Sequence, residues 1–195
     1  MCSKLLIAVI VAGAAALPAA ADPARYGLDP AHTTIAFLVE HAGYASTLGQ
    51  FLRASGSYTF DDATGAVWDV RVVVETASVD THHEARDRHL KSGDFLDSES
   101  HPEMTFVTQS AQRTSASTFV VTGELTLLGM RRPLTLEATL NKSAPYPFGD
   151  RADVMGVSAR AKLKRSEFGM TYGVADDLVG DDVEIVVEFE ARRAP

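Results

Sequence analysis

The 195-residue chain carries 18 basic against 26 acidic side chains, a formal charge of −8, and a single cysteine. That balance excludes a basic nucleic-acid-binding surface, and one cysteine excludes a disulfide framework or a Cys-ligated metal. The length suits one domain with a substantial core.

Lys4 precedes an apolar run from Leu5 to Leu17, followed by Ala19, Ala20 and Ala21. Residues 1–21 therefore read as a signal peptide cleaved before Asp22, leaving residues 22–195 as the mature domain. The run is too short to cross a hydrocarbon core of about 30 Å, and no second one follows, so no integral membrane segment is expected. Cys2 stands before the run, not after it, so it is no lipoprotein cysteine and leaves with the signal. Cleavage also removes Lys4 and no acid, so the balance becomes 17 basic to 26 acidic side chains.

Beyond Asp29-Pro30 the chain alternates apolar and polar residues with period two, the signature of strands with one greasy face. Ile35, Phe37, Val39 and His41 share one side of the first strand. Residues 49–60 read as a second strand that contains Phe51 and bends at Gly56, ending in Asp61-Asp62-Ala63-Thr64-Gly65, a hairpin turn. Val70, Val72 and Val74 define a third. The segment 80–90 does not alternate and predicts a short helix capped at Asp80 or Thr81. Alternation resumes with Met104 and Phe106, then Phe119, Val121, Gly123, Leu125 and Leu127. Leu134, Leu136, Ala138 and Leu140 follow, then Met155, Val157, Ala159, Ala161 and Leu163, and finally Val183, Ile185, Val187 and Phe189. Short connections between about eight strands predict an antiparallel, all-β, up-and-down barrel with a short helix over one end. A two-layer sandwich would show similar alternation and stays open at this point.

Several phrases in this order resemble the YceI-like family of secreted bacterial proteins. They are Leu28-Asp29-Pro30-Ala31-His32 leading into Ile35, Phe37, Val39 and His41; Gly49 with Phe51; Ser78-Val79-Asp80-Thr81; Arg86-Asp87 with Leu90, Ser92, Asp94, Phe95 and Asp97; Pro102 with Thr105-Phe106; Thr122-Gly123-Glu124-Leu125-Thr126 with Gly129 and Pro133; and Arg165-Ser166-Glu167-Phe168-Gly169. Gln50 replaces a commonly basic residue, and Tyr44 is bulkier than expected, which would narrow or reshape one cavity end. The resemblance implies a lipocalin-like barrel in the periplasm that holds a polyisoprenoid, such as a polyprenyl quinone or polyprenyl phosphate, without covalent attachment. A fatty acid or fatty amide is the alternative guest.

The expected lining is Ile35, Phe37, Val39, Phe51, Val72, Val74, Phe106, Leu125, Leu127, Leu136, Ala138, Val157, Ala159 and Phe168, with small residues at Gly123, Ala138, Ala159 and Ala161 leaving room. Head-group contacts are expected from His32, His41, Arg86, Arg88 and Lys91. No cofactor is expected beyond the bound lipid. The residues contain no phosphate loop and no G-x-S-x-G elbow, and Ser166 has no assignable base, so binding is expected instead of catalysis. The competing reading, a His-dependent metal enzyme, would use His82 and His89, but helical zinc pairs usually stand three or four residues apart, not seven. Arg86 with Asp87 and Arg165 with Asp182 read as ion pairs that fix loops. A homodimer is compatible with the pattern, and no residue specifies it.

Overall fold

Almost every alternating run forms a strand. In the computed structural model, which describes residues 22–195, the strands are β1 (Ala24–His41), β2 (Ala45–Phe51), β3 (Ala54–Asp61), β4 (Ala66–Glu75), β5 (Val79–Asp80), β6 (Glu103–Arg113), β7 (Thr118–Leu127), β8 (Met130–Pro145), β9 (Asp153–Lys164) and β10 (Val179–Arg193). One helix, α1 (Glu84–Leu90), lies between β5 and β6. The expected signal peptide lies outside the described residues.

β2 and β3 pair with the same edge of β1 and form two halves of one stave, and β5 only extends the edge of β2. The result is an eight-staved antiparallel barrel. It closes through β1 against β10, from Tyr26 opposite Arg193 to His41 opposite Val179. Closure removes the sandwich alternative, because a sandwich leaves edges that are here hydrogen-bonded. β7 and β8 are joined by Leu128-Gly129, both at positive φ, the geometry whose twist matches a two-residue hairpin.

Among the register shifts of the barrel, two on neighbouring staves shape the interior. Between Leu28 and Thr33 the register of β1 against β10 slips. The Asp29 carboxylate holds the bulge by accepting from the Ala31 amide at 3.0 Å and meeting His32 Nδ1 at 3.0 Å, and the Asp29 carbonyl accepts from the Thr33 hydroxyl at 2.7 Å. Across from it, the second stave breaks at Leu52-Arg53, not at Gly56. Each break exchanges the inward parity of its stave. Ile35, Phe37 and Phe51 point in at odd positions, whereas Tyr26, Leu28, Tyr58 and Phe60 point in at even ones.

The helix begins later than expected. His83 caps it, accepting the Arg86 amide on Nδ1 at 3.2 Å, while His82 sits outside at positive φ. Thr81 instead receives Arg86 and binds Asp87. Because the staves alternate in direction, the β1–β2 turn, residues 76–102 with α1, the β7–β8 turn and residues 165–178 gather at one end. The chain termini and the remaining turns gather at the other.

Candidate binding cavity

The barrel interior contains a cavity of about 750 Å³, within the range of small-molecule sites. Ile35, Phe37 and Val39 line it from β1, Phe51 from β2, Val72 and Val74 from β4, and Phe106 from β6. Leu125 and Leu127 contribute from β7, Leu136 and Ala138 from β8, and Val157 and Ala159 from β9. Phe168 does not line the cavity. It is 2% exposed in the 3₁₀ turn Arg165–Phe168 and packs into the core beyond the last residue of β9, where strand parity no longer aims it inward.

Two of the small residues serve another purpose than the one expected. A methyl group on Gly123 would run into the Phe106 ring and the Val107 carbonyl, so the neighbouring aromatic already covers this glycine. Ala161 is buried but absent from the lining. Ala138 and Ala159, opposed across β8 and β9, do face the cavity.

Toward the far end the cavity is ringed by Tyr58, Phe60, Val67 and Phe119. Tyr26 and Tyr58 stack at 5.6 Å, Phe189 meets Tyr58 edge-on at 6.2 Å, and Ala191, Met155 and Tyr26 are essentially without solvent contact. The Tyr58 hydroxyl donates to Met155 Sδ at 3.4 Å. Burial pushes the Tyr58 phenol far above its ordinary range, so it stays neutral and hydrogen-bearing.

The α1 end carries most of the polar lining: Glu40, His41, Thr47, Arg86, His89 and Tyr172 face the cavity beside Leu90, Phe95 and Leu178. Arg86 is held by Thr81, donating from Nε to the hydroxyl and from Nη2 to the carbonyl, each at 2.7 Å. Thr81 is in turn held by Asp87, whose carboxylate accepts from its amide at 2.9 Å and its hydroxyl at 2.5 Å. Partial burial raises the Asp87 pKa, but these hydrogen bonds outweigh it and keep the group below the usual carboxylate range. The Arg86–Asp87 element is thus a relay through Thr81, which leaves the Arg86 guanidinium without a carboxylate of its own.

Of the five expected head-group contacts, His41 and Arg86 reach the cavity and three do not. His32 lies on the outer wall, 3.0 Å from Asp29 and 3.7 Å from Glu190, because the β1 bulge turns it away from the interior. Arg88 faces solvent and pairs with Glu84 at 2.5 Å, one helical turn back. Lys91 ends α1 outside the lining. Tyr44 is 91% exposed and leaves the cavity shape untouched.

His82 and His89 do not share a helix face. His82 lies 3.7 Å from Asp80, and His89 Nε2 meets Asp94 at 2.8 Å while its ring packs against Phe95 and Tyr172 at 5.0 and 4.9 Å. Among the described residues, the metal-capable side chains that do converge are Asp29, His32 and Glu190, on the outer wall at the bulge already described.

Arg165 carries the feature that the residue-level reading missed. It is 2% exposed, and its guanidinium donates to the carbonyls of Gly180, Met170, Tyr172 and Val179 at 2.7–2.9 Å. Its charge also lies 5.7 Å from the Phe95 ring centre, within cation–π range. Burial lowers its pKa, although a guanidinium stays charged under such conditions. The expected partner Asp182 binds Lys164 at 3.1 Å instead. The missed signal was parity: Arg165 continues the inward odd series of β9 after Leu163.

A YceI-like domain model matches residues 26–191. A UPF0312 protein of Vibrio campbellii is 36% identical over 188 residues, covering 95% of this chain and 97% of the relative. The crystal structure of a Campylobacter jejuni YCEI protein superposes with a TM-score of 0.73 at 28% identity, over 80% of this chain and 90% of that one. A polyisoprenoid-binding domain from Saccharophagus degradans shares the fold, with a TM-score of 0.63 at 14% identity over 87% and 98% of the two chains. With matched sequence along nearly the whole barrel and the same closed architecture, the chain belongs to the YceI-like family.

Proposed function

We propose that the protein is a periplasmic carrier that holds one long-chain isoprenoid lipid, a polyprenyl quinone or polyprenyl phosphate, noncovalently in the barrel. The observation that carries this reading is the deep apolar cavity, wholly apolar or aromatic around Tyr58, Phe60 and Phe119 and carrying His41, Arg86 and His89 at the α1 end. An amphipathic chain matches that polarity with its tail toward Tyr58 and its head among His41, Arg86 and His89. The polyisoprenoid-binding domain of the same fold supports the choice of guest, and the signal-like pattern expected of residues 1–21 supports the compartment.

The magnitudes suffice without a covalent bond. A cavity of 750 Å³, at about 30 Å³ for a water-sized group such as a methylene, takes roughly 25 non-hydrogen atoms. At about 0.3 kcal/mol net per atom, the efficiency typical of larger ligands, the guest binds with roughly 7 kcal/mol, a dissociation constant in the micromolar range. A charged head on Arg86 adds to this.

Native mass spectrometry of protein purified from the envelope, followed by lipid extraction, tests the reading. The expected result is one bound lipid whose fragments repeat at isoprene intervals. A delipidated protein that takes up fatty acids or fatty amides but no prenyl lipid would transfer the assignment to an acyl-chain guest.

A further inference from the structure

We propose that Arg86 presents a fork for an oxyanion, so that the barrel selects a polyprenyl phosphate over a polyprenyl quinone. This rests on the isoprenoid reading above and names the head group that the site favours within that lipid class.

A guanidinium carries five N–H donors in one plane. Arg86 directs two of them at Thr81, from Nε to the hydroxyl and from Nη2 to the carbonyl, so one edge of the plane is occupied. Three N–H groups remain, two on Nη1 and one on Nη2, and the adjacent pair on the two nitrogens points outward in parallel. Such a pair takes two oxygens of one phosphate or carboxylate. The occupied edge also fixes the free one. Thr81 is buried, and its amide and hydroxyl are held by the Asp87 carboxylate. The guanidinium is therefore oriented before any guest arrives and loses little freedom on binding one.

The other polar groups at this end cannot take that part. His89 meets Asp94 through Nε2 and packs its ring on Phe95 and Tyr172. The Arg165 guanidinium is turned toward four backbone carbonyls. His41 and Thr47 line the cavity but have no fork of parallel donors. Glu40 is the one carboxylate in the lining, and it is exposed at the rim, where water weakens its repulsion of an anion. An oxyanion on Arg86 is instead in direct contact. A quinone cannot use the fork in the same way, because its oxygens are neutral and its two carbonyls stand on opposite sides of the ring. With the tail held constant, the head group decides the preference.

The test titrates the delipidated protein with geranylgeranyl phosphate, geranylgeraniol and a naphthoquinone carrying the same tail, and with palmitate as a carboxylate on an acyl tail. The phosphate is expected to bind about 10- to 100-fold more tightly than the alcohol or the quinone, the value of a charged hydrogen bond, and more tightly than palmitate. Arg86→Lys, which keeps the charge without the fork, is expected to lower the phosphate-to-alcohol ratio by about tenfold. Thr81→Val leaves Arg86 in place but removes the hydroxyl that orients it, and it lowers the same ratio, whereas Thr81→Ser preserves it. A merely structural Thr81 would weaken both ligands alike and leave the ratio where it was. Should Thr81→Val not fold, Arg86→Lys decides the matter. Equal affinity for phosphate, alcohol and quinone, or a ratio that Arg86→Lys does not move, overturns the fork while leaving the isoprenoid reading intact. Tighter binding of palmitate than of all three prenyl ligands, or failure of every prenyl ligand to bind, overturns that reading and the phosphate assignment with it.

Discussion

Replacing Arg165 with Met removes four charge-assisted hydrogen bonds from a residue that is 2% exposed. Hydrogen bonds to charged groups contribute about 1.5–3 kcal/mol each, but they are not additive, and water entering from the cavity re-solvates some of the four carbonyls. Removing one partner of a buried charged arrangement typically costs about 3–5 kcal/mol, a large part of the roughly 5–15 kcal/mol available to a domain. For a chain of this size each kcal/mol lowers Tm by about 2–4 °C, so Arg165→Met is expected to melt roughly 10 °C below the parent. Arg165→Lys retains the charge but offers three donors from a single point, which cannot span four carbonyls, and falls between the two. Thermal unfolding followed by circular dichroism measures the shift. Hydrogen exchange locates it, with residues 165–180 losing protection before β7 and β8. An unchanged Tm for Arg165→Met would refute the reasoning, because it would mean that the four carbonyls are satisfied without the guanidinium.

Arg86→Gln is expected to weaken a prenyl phosphate by roughly 10- to 100-fold, the value of a charged hydrogen bond, and to leave a prenyl alcohol unaffected; isothermal titration with both ligands checks this, and an equal loss for both would make the residue purely structural. Arg88→Gln, on the solvent face of α1, is expected to change neither. The Asp29–His32 clasp gives a defined pH window. The Asp29 hydrogen bond raises the His32 pKa above 6.5, so its contribution is complete below that value and is lost as pH rises through the raised one. The His32 hydrogen bond holds Asp29 below 3.8, so that contribution is present above 3.8 and is lost as pH falls through the lowered value. The stability difference between the parent and His32→Gln should therefore be largest near pH 5 and vanish toward pH 9, and a difference constant across that range in urea titrations would contradict the assignment. Gly123→Ala forces a methyl group to within 2.5 Å of the Phe106 ring and 2.4 Å of the Val107 carbonyl, so it should cost about 1–3 kcal/mol through overpacking; an undiminished Tm would show that ring and backbone both yield freely.

Period two made most of the wall legible, because β7, β9 and β10 keep one parity along their length and the bulges of β6 and β8 fall beyond Phe106 and Leu140, after the residues that line the cavity. Leu125, Leu136, Val157 and Ile185 all fall on the cavity side, as their spacing requires. The failures occur where parity is interrupted or extended. Tyr58 and Phe60 escaped notice because the break at Leu52-Arg53 shifts the inward series from odd to even, and Phe51 lies on the wrong side of it to announce the change. Phe168 failed in the opposite way, for it follows the end of β9, where a 3₁₀ turn ends the alternation. Arg165 was legible in position but not in chemistry: an Arg on an apolar series looks like an error until the carbonyls of residues 170–180 fold around it. His32 and Arg88 were misplaced because composition marks a basic residue without stating which way it faces, and that depends on the β1 bulge and on the helix beginning at Glu84, not at Asp80.

The same contacts rank the possible routes by which a guest leaves. Parting the wall between β1 and β2 breaks a ladder that runs from Ile35–Phe51 to His41–Ala45, at a net cost of about 0.5–1.5 kcal/mol for every backbone hydrogen bond. At the far end, Tyr26, Tyr58 and Phe189 are pinned by their mutual contacts, and residues 165–180 are pinned by Arg165. That leaves α1, which has no fully buried residue and is held through Thr81, the packing of Leu90 on the core and of His89 on Phe95 and Tyr172, and the backbone bonds Leu96–Leu90 and Ser98–Lys91. Aromatic contacts of this kind are worth about 0.5–1.5 kcal/mol each, so swinging α1 outward costs far less than opening the wall. On the carrier reading, loading and release therefore pass beneath α1, and Arg86, which rides on that helix, leaves the head group in the same movement.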